Sequence, residues 1–301
     1  MQLSDTTAIR FPGLGIEVNP SDGFSIGSLE IKWYGVIIAL GVLLAVLYVM
    51  RRVKEFGLTE DDIVNILLIG LPCAIIGARA YYVLLEPDLF FGPENNWYDC
   101  INLRDGGLAI YGGVIGAAIA TLLYTGKKRR AKLLPLLDLI ALGLLIGQLV
   151  GRWGNFFNRE AHGGVTDCLL RMELYEDGMW QAFHPTFLYE SVWNLIGLIG
   201  LHIFSKHRRF DGEVVLGYVA WYGLGRTWIE GLRTDSLWIG SFRASQVLAA
   251  VSCLVATGLL LYFLLVRKPD KSRMLVNRLA AEADEPSEPI TIPEKEDTDH
   301  E

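Results

Sequence analysis

Charge is scarce over most of this 301-residue chain: Asp, Glu, Lys and Arg make up only 20% of the residues, against 51% hydrophobic ones. The acidic residues are also concentrated, because residues 279–301 carry nine of them and a single lysine. That segment has a net charge of −8, so the other 278 residues sum to +1. The bulk of the chain thus lacks the broad basic face that a nucleic-acid-binding protein needs, and we expect no nucleic acid as a partner.

Cysteine is scarce too, with four residues in the whole chain. They form no CxxC pair and have no histidine at a spacing suited to zinc, so we expect neither a metal site nor a cofactor. Cys100 and Cys168 both fall in segments that we place outside the membrane below. The sequence leaves open whether these two form a disulfide or remain free thiols.

The parts of the chain that have few charged residues consist of long apolar stretches, and the mean hydropathy of the whole chain is +0.33. A bilayer core takes about 20 apolar residues of helix. Seven stretches approach this length with at most one charged side chain each: 33–50, 63–85, 106–126, 133–151, 185–205, 214–229 and 244–266. The sequence therefore predicts an all-α polytopic membrane protein with seven transmembrane helices.

Basic clusters give the expected orientation, because loops rich in Lys and Arg stay in the cytoplasm. Such clusters follow the first, third, fifth and seventh stretch, at 51–54, 127–130, 206–209 and 267–271. The N terminus is then outside and the C terminus cytoplasmic. This predicts an extracytoplasmic segment 1–32 and a catalytic seven-helix domain 33–266. It also predicts outer loops at 86–105, 152–184 and 230–243, and a disordered, acidic cytoplasmic tail at 267–301.

Several charged side chains occur where a membrane protein usually has none. Four lie inside the stretches and two at their outer ends: Arg79, Asp138, Glu190, Arg226, Arg152 and Glu230. Such residues are expensive in a bilayer and are usually functional or paired. Because they belong to several helices, we expect one shared polar cavity in the bundle. The alternative is a set of structural ion pairs, for example Arg79 with Glu190.

Residues 151–163 form the densest polar motif of the chain. Arg152 and Asn155 are three residues apart and share a helical face. Trp153, Phe156 and Phe157 interleave with them, a mixture that suits a charged headgroup with acyl chains attached.

A second motif places Tyr222, Arg226, Glu230 and Arg233 on one helical stripe. A guanidinium suits such a place, because it binds phosphate by two parallel hydrogen bonds and stays charged. The glycine-rich segment 106–113 opens the third stretch and permits close helix contact. His184 and Pro185 begin the fifth.

Taken together, these motifs resemble the prolipoprotein diacylglyceryl transferase family. The resemblance runs from about residue 31 to residue 266. Its most specific element is Gly-Arg-x-Gly-Asn-Phe-x-Asn-x-Glu-x-x-Gly at 151–163. Segments 33–35, 77–83, 184–190 and 226–233 are also similar to the family.

The resemblance implies a transferase of the bacterial cytoplasmic membrane that carries out the first step of lipoprotein maturation. Its substrates are phosphatidylglycerol and the lipobox cysteine in the signal peptide of a prolipoprotein. Transfer of the diacylglyceryl group forms a thioether and releases glycerol 1-phosphate. Carried over by position, the implied site is Tyr34, Arg79, Arg152, Asn155, Glu160, Gly163, Arg226 and Glu230. Within this site we assign catalysis to Arg152, Arg226 and Glu230, and we add Arg233 to the substrate-binding residues.

One position departs from the family pattern. Better-known members have histidine before Gly-Gly, where this chain has Tyr111. We assign Tyr111 to the catalytic set, although a phenol is neutral at pH 7 and therefore a poor proton acceptor. His162, His184, Glu160 and the substrate phosphate remain candidates for the base that activates the thiol.

Two other classes of membrane protein fit parts of the pattern. An anion transporter or channel also uses intramembrane arginine, but it usually shows internal repeats, and the 151–163 motif has no second copy. An intramembrane protease needs a nucleophilic serine motif or two aspartates within spans, whereas Asp138 stands alone.

Overall fold

The computed structural model describes residues 7–91, 97–102, 106–234, 238–239 and 242–284, and most of these residues are helical. The helices are α1 (Trp33–Arg52), α2 (Glu60–Leu85), α3 (Asp88–Phe91), α4 (Ile110–Arg129), α5 (Leu133–Asn158), α6 (Thr186–Lys206), α7 (Glu213–Ile229), α8 (Ala244–Leu261) and α9 (Leu275–Asp284). A π-helical segment, Tyr262–Arg267, follows α8 directly.

Each of the seven apolar stretches corresponds to a helix. Five helical segments of the described chain are long and apolar enough to cross a membrane: Trp33–Phe56, Glu60–Leu85, Arg130–Asn158, Thr186–Lys206 and Ala244–Arg267. The apolar part of α4 and the 17 residues of α7 are shorter. The protein is thus mostly helical with several membrane-spanning helices, while the count of seven spans and the orientation remain predictions.

Helix α5 is the centre of the bundle and packs against α1, α6 and α7. Leu136, Leu139, Leu142 and Leu145 of α5 are all fully buried. A three-residue spacing drifts by about 60° around a helix at each step, so these leucines cover about half of its circumference. Helix α2 pairs with α4, and α8 packs on α7. The apolar window of α5 is 50% buried, against 11% for those of α1 and α8, so α5 positions the side chains that other helices meet.

Short strands correct the prediction of an all-α protein. They are β1 (Ile9–Phe11), β2 (Ile16–Val18), β3 (Gly23–Ile26), β4 (Leu29–Lys32), β5 (Met172–Glu176), β6 (Met179–Phe183), β7 (Trp238–Ile239) and β8 (Phe242–Arg243). An antiparallel sheet has the order β2-β1-β5-β6, and β3–β4 and β7–β8 are hairpins. All these strands lie in segments that we predicted as outside loops or N-terminal segment. Hairpins form there because the backbone outside a helix still needs hydrogen-bond partners.

The bundle has two ends, which we name by their residues. The site end holds the described residues of the segments 86–91, 97–102, 106–109, 159–185, 230–234, 238–239 and 242–243. The basic end holds 53–59, 126–132, 207–212 and 268–274. Pairing of β1 with β5 places the N-terminal segment at the site end, as the predicted topology requires.

Two boundaries differ from those predicted. Helix α5 does not stop at residue 151 but continues to Asn158, so the first half of the 151–163 motif is helical. Residues 275–284, which we predicted as part of a disordered tail, form α9. Residues 285–301 of that tail lie outside the described residues, as do parts of the predicted outer loops. The four cysteines are free thiols, which settles the disulfide question.

Asp138 has a structural role at the basic end. Its carboxylate is fully buried in α5 and accepts hydrogen bonds from the backbone nitrogens of Gly212, at 2.7 Å, and Val215, at 2.8 Å. These donors belong to the first turn of α7, where the helix leaves amide hydrogens without internal acceptors. Asp138 therefore caps α7 from a neighbouring helix and stands apart from the other charged residues.

Candidate active site

One buried carboxylate collects three arginines at the site end. Glu190 of α6 forms an ion pair with Arg152 of α5 through Oε2. Its Oε1 lies 3.1 Å from Nη1 of Arg226 in α7 and 3.5 Å from Nη1 of Arg233. The charged residues of the two main sequence motifs thus meet on a third helix.

A second carboxylate completes this group, which we call the Glu190 cluster: Arg152, Glu190, Arg226, Glu230 and Arg233. Glu230 lies in the 3₁₀ turn after α7, and its Oε2 is 2.6 Å from Nη2 of Arg226. Ser245, in the first turn of α8, donates a hydrogen bond to the other oxygen of Glu230. The cluster therefore joins α5, α6, α7 and α8.

The charges of the cluster sum to +1, with three guanidiniums against two carboxylates. The carboxylates are the buried part, since the side chain of Glu190 is 4% exposed. The side chains of Arg152 and Arg226 are 22% and 19% exposed, so the accessible surface of the cluster is cationic. Such a surface favours an anion. Because Glu190 and Glu230 already hold the arginines in place, an anion can bind to them without rearranging their side chains.

Two tryptophan contacts fix the helices that carry the cluster. Trp153 donates from its indole nitrogen to Ser191 Oγ at 3.1 Å, which ties α5 to α6 one residue away from Arg152 and Glu190. Trp193 of α6 and Trp221 of α7 stack at 4.2 Å, and each indole donates to the backbone oxygen of the other at 3.0 Å. These contacts set the register in which Glu190 meets Arg226.

The end of α5 presents an amide and carboxylate chain beside Arg152. Arg152 Nη1 donates to Asn155 Oδ1 at 3.4 Å, and Asn155 Nδ2 donates to Glu160 Oε1 at 3.0 Å. The chain turns back here because Arg159 and Ala161 adopt left-handed backbone with φ of 54° and 57°. The predicted residues Asn155 and Glu160 therefore lie next to Arg152 as a connected set.

Gly163 brings Arg233 into the cluster. Its nitrogen donates to the backbone oxygen of His184 at 2.9 Å, and it forms a β-bridge with Arg233. A Cβ atom here would lie 2.7 Å from the Cβ of His184 and 2.8 Å from the backbone oxygen of Leu232, which leaves no room for a side chain. Packing therefore requires a glycine at this position of the predicted site.

An apolar cavity of about 640 Å³ lies at the same ends of α5 and α6 as the cluster, although none of its described lining residues belongs to the cluster. Trp153, Phe156 and Phe157 form one wall, and Leu14 and Ile16 of the N-terminal segment form another. The aromatic residues lie on the same helical end as Arg152. A cationic group beside an apolar cavity suits an amphipathic anion.

Tyr34 and Tyr111 occupy different surroundings. Tyr34, in the first turn of α1, packs its ring on Gly154, two residues after Arg152 in α5. Tyr111 is half-exposed in the first turn of α4, beside Gly112. A Cβ at Gly112 would lie 2.2 Å from the backbone oxygen of Gly77, so the predicted close contact of glycine-rich helices is present between α2 and α4.

Arg79 lies in a cage of backbone oxygens. Its guanidinium donates to Cys100 O at 2.8 Å, Asp99 O at 2.6 Å, Gly106 O at 2.8 Å and Gly107 O at 3.0 Å. The alternative pairing with Glu190 is therefore wrong, since Glu190 pairs with other arginines. No polar contact among the described residues joins Arg79 or Tyr111 to the Glu190 cluster.

The two histidines considered as bases are engaged elsewhere. His162 Nε2 lies 3.0 Å from Glu176 Oε1, and its ring packs on Phe183 with centroids 4.1 Å apart. His184 Nδ1 lies 3.3 Å from the hydroxyl of Tyr189. Neither geometry singles out a base.

Sequence reasoning omitted two residues from the site. One is Glu190, whose charge within a predicted span is a signal that would have been sufficient to include it. Asn194, one helical turn further along α6, lines a small void with Glu190, Tyr222 and Arg226. Its Oδ1 is buried without a hydrogen-bond partner among the described residues, and nothing in the sequence marks it.

Most of the chain matches the model of a known protein family. The model of the family described as "Prolipoprotein diacylglyceryl transferase" matches residues 22–262. The chain belongs to the prolipoprotein diacylglyceryl transferase family. The matched range contains the whole Glu190 cluster, Arg79 and Tyr111, and it ends before α9.

Curated relatives agree with this family. A phosphatidylglycerol--prolipoprotein diacylglyceryl transferase from Listeria monocytogenes serotype 4b (strain CLIP80459) is 40% identical over 262 residues, which cover 83% of this chain and 92% of the relative. Another from Clostridium perfringens (strain 13 / Type A), with the same name and the number 1, is 42% identical over 258 residues, covering 83% and 96%. The similarity therefore extends over nearly the full length of these relatives.

Proposed function

We propose that this chain transfers the diacylglyceryl group of phosphatidylglycerol to the cysteine thiol of a prolipoprotein lipobox. The observation that carries the proposal is the Glu190 cluster, a net cationic group on the same ends of α5 and α6 that line an apolar cavity. Family membership and the names of the relatives support the two substrates. The lipobox cysteine comes from the resemblance alone.

The reaction explains why two arginines are needed. The thiol loses its proton, its sulfur forms a bond to a glycerol carbon, and the bond from that carbon to the phosphate oxygen breaks. The released glycerol 1-phosphate takes up one proton in exchange for the one that the thiol gives up, so the step balances. The donor phosphate carries one negative charge, and the leaving glycerol 1-phosphate acquires most of a second. Arg152 and Arg226 hold the donor phosphate and stabilise the additional charge as it develops.

Glu190 and Glu230 position these arginines. A buried carboxylate that shares its oxygens among three guanidiniums fixes their directions before the substrate arrives. Asn155 and Glu160, which are joined to Arg152 by hydrogen bonds, bind the polar glycerol headgroup, and the apolar cavity takes an acyl chain. We keep Tyr34 as a substrate-binding residue, and we give Tyr111, which the sequence analysis assigns to the catalytic set, the task of donating a hydrogen bond to substrate. For Arg79, predicted as substrate-binding, we propose instead that it organises the backbone at residues 99–100 and 106–107.

The proposed location is the bacterial cytoplasmic membrane, with the site end outside. Single cysteines introduced at Asp167 and Ser272 in a cysteine-free variant test this orientation, because the two residues lie at opposite ends of the bundle and both are exposed. An impermeant thiol reagent should label only the Asp167 position in intact cells. Labelling of both positions from the same side would contradict the seven-span topology.

The activity is tested by incubating the purified protein with phosphatidylglycerol and a synthetic lipobox peptide. The proposal predicts release of glycerol phosphate together with a diacylglyceryl mass gain on the peptide cysteine. A peptide with serine in place of cysteine is the matched control. Cleavage of the peptide would favour a protease, and anion flux without transfer would favour a transporter.

A further inference from the structure

A second cationic site lies at the basic end, far along the bundle from the Glu190 cluster. It is a cavity of about 470 Å³ between the start of α5, the end of the π-helical segment and the segment leading into α9. Five cations and two carboxylates line it: Arg130, Arg267, Lys268, Arg273, Arg278, Asp211 and Asp270. The net charge of this lining is +3.

Both carboxylates are used by the protein itself. Asp211 Oδ2 accepts a hydrogen bond from the backbone nitrogen of Leu275 at 2.7 Å, which caps α9. Asp270 accepts from the backbone nitrogen and the hydroxyl of Ser272, at 2.9 Å and 2.6 Å. Among the described residues, none of the five cations lies within 4.0 Å of a carboxylate oxygen, although Arg278 and Arg273 act at longer range on Asp211 and Asp270. The positive charge of the lining is therefore available to a ligand.

The wall opposite the cations is apolar. Phe210 and Phe263 pack with ring centroids 5.3 Å apart, and Leu134 and Met274 extend the same surface. Leu134 and Phe263 belong to segments that are apolar enough to cross a membrane. The apolar wall thus runs into the membrane region, while the cations lie at its edge.

We propose that this cavity binds one anionic phospholipid from the leaflet at the basic end. Its phosphate lies among the guanidiniums, and an acyl chain lies along Phe263 and Leu134. Basic pockets between helices at this side of a membrane bind anionic headgroups in this way. A zwitterionic lipid lacks the net charge, and free phosphate leaves the apolar wall uncovered.

The site is separate from the proposed transferase chemistry. Four of its five cations, those from Arg267 onwards, lie beyond residue 262, where the family match ends. The acidic segment 285–301 offers charge of the right sign, but the apolar wall favours a lipid over an acidic peptide.

Native mass spectrometry of the purified full-length protein tests the proposal, with phosphatidylserine and phosphatidylcholine as probes. The double variant Arg267→Gln/Arg273→Gln is compared with Arg51→Gln/Lys206→Gln, which removes two exposed cations at the same end but outside the cavity. We expect wild type and control to retain one more phosphatidylserine than the double variant. The affinity of the double variant should be about tenfold lower. Thermal unfolding confirms that each variant is folded.

Three results would overturn the proposal. The first is equal phosphatidylserine retention by the double variant and the control. The second is equal retention of phosphatidylcholine by wild type, which would indicate an apolar groove only. The third is a gain of bound phosphatidylserine in the full chain carrying Glu294→Gln, Glu296→Gln and Asp297→Asn, which would show that the acidic segment occupies the cavity.

Discussion

Arg152 and Arg226 of the Glu190 cluster differ from Arg79 in the groups that compensate their positive charge. Each is a charged side chain at the site end of a largely apolar bundle. Arg152 and Arg226 are paired with carboxylates and partly exposed, whereas Arg79 is buried and donates to four backbone oxygens. A phosphate can join a guanidinium that is oriented by a carboxylate. We therefore propose a structural task for Arg79, in place of the substrate-binding role predicted from the sequence.

The largest effect is expected for Glu190→Ala. This change leaves three guanidiniums together with only Glu230 as a counter-ion. Removing one partner of a buried ion pair costs about 3–5 kcal/mol. Thermal unfolding in detergent should show this loss, and Glu176→Ala, which removes a more exposed carboxylate paired with His162, is the control. A loss below about 1 kcal/mol would mean that Glu190 does not hold the arginines.

The next effect is expected for Arg152→Lys. Lysine keeps the charge but loses the planar fork, so it cannot bind Glu190 and the phosphate together. We expect a folded protein whose rate is lower by a factor on the order of 10²–10³, equivalent to roughly 3–4 kcal/mol. The transfer assay with phosphatidylglycerol measures this, and Arg171→Lys, outside the cluster and near Glu173, is the control. Full activity of Arg152→Lys would remove Arg152 from the site.

A smaller and different effect is expected for Arg79→Lys. An ammonium group cannot reach four carbonyl oxygens that surround a guanidinium, so most of the cage is lost. We expect a destabilisation of about 1–3 kcal/mol and faster proteolysis within residues 99–107. If Arg79→Lys lost as much activity as Arg152→Lys with unchanged proteolysis, the contrast between the two environments would fail.

The smallest effect is expected for Tyr111→Phe. If the hydroxyl only donates a hydrogen bond to substrate, its loss costs about 1–2 kcal/mol, roughly five- to thirtyfold in rate. Tyr111→His should remain active, because the resemblance implies an imidazole at this position in other members. A folded Tyr111→Phe protein as inactive as Arg152→Ala would identify Tyr111 as an obligatory group.

The helices and the arginines were predictable because their signals are local. Apolar length predicts each span, and a charge inside a span is visible at once. The hairpin β5–β6 also had a local signal, since Asp177-Gly178 is a typical two-residue turn and both residues have positive φ. The prediction of an all-α protein passes over this signal, so it holds for the bundle but is wrong for the strands outside it.

The remaining features depend on contacts between distant parts of the chain. Pairing of β1 with β5 joins the N-terminal segment to a loop that follows α5. The meeting of Arg152, Arg226 and Arg233 on Glu190 depends on how α5, α6 and α7 pack. Sequence spacing describes one helix at a time, so it marked each charge without showing which of them share a partner.

The most direct test is the position of the donor phosphate in a structure of the protein with phosphatidylglycerol. Our account predicts phosphate oxygens about 2.8 Å from guanidinium nitrogens of both Arg152 and Arg226. It also predicts an acyl chain in the cavity formed by Trp153, Phe156 and Phe157. A phosphate held by Arg79, with Arg152 and Arg226 still bound only to Glu190 and Glu230, would contradict it.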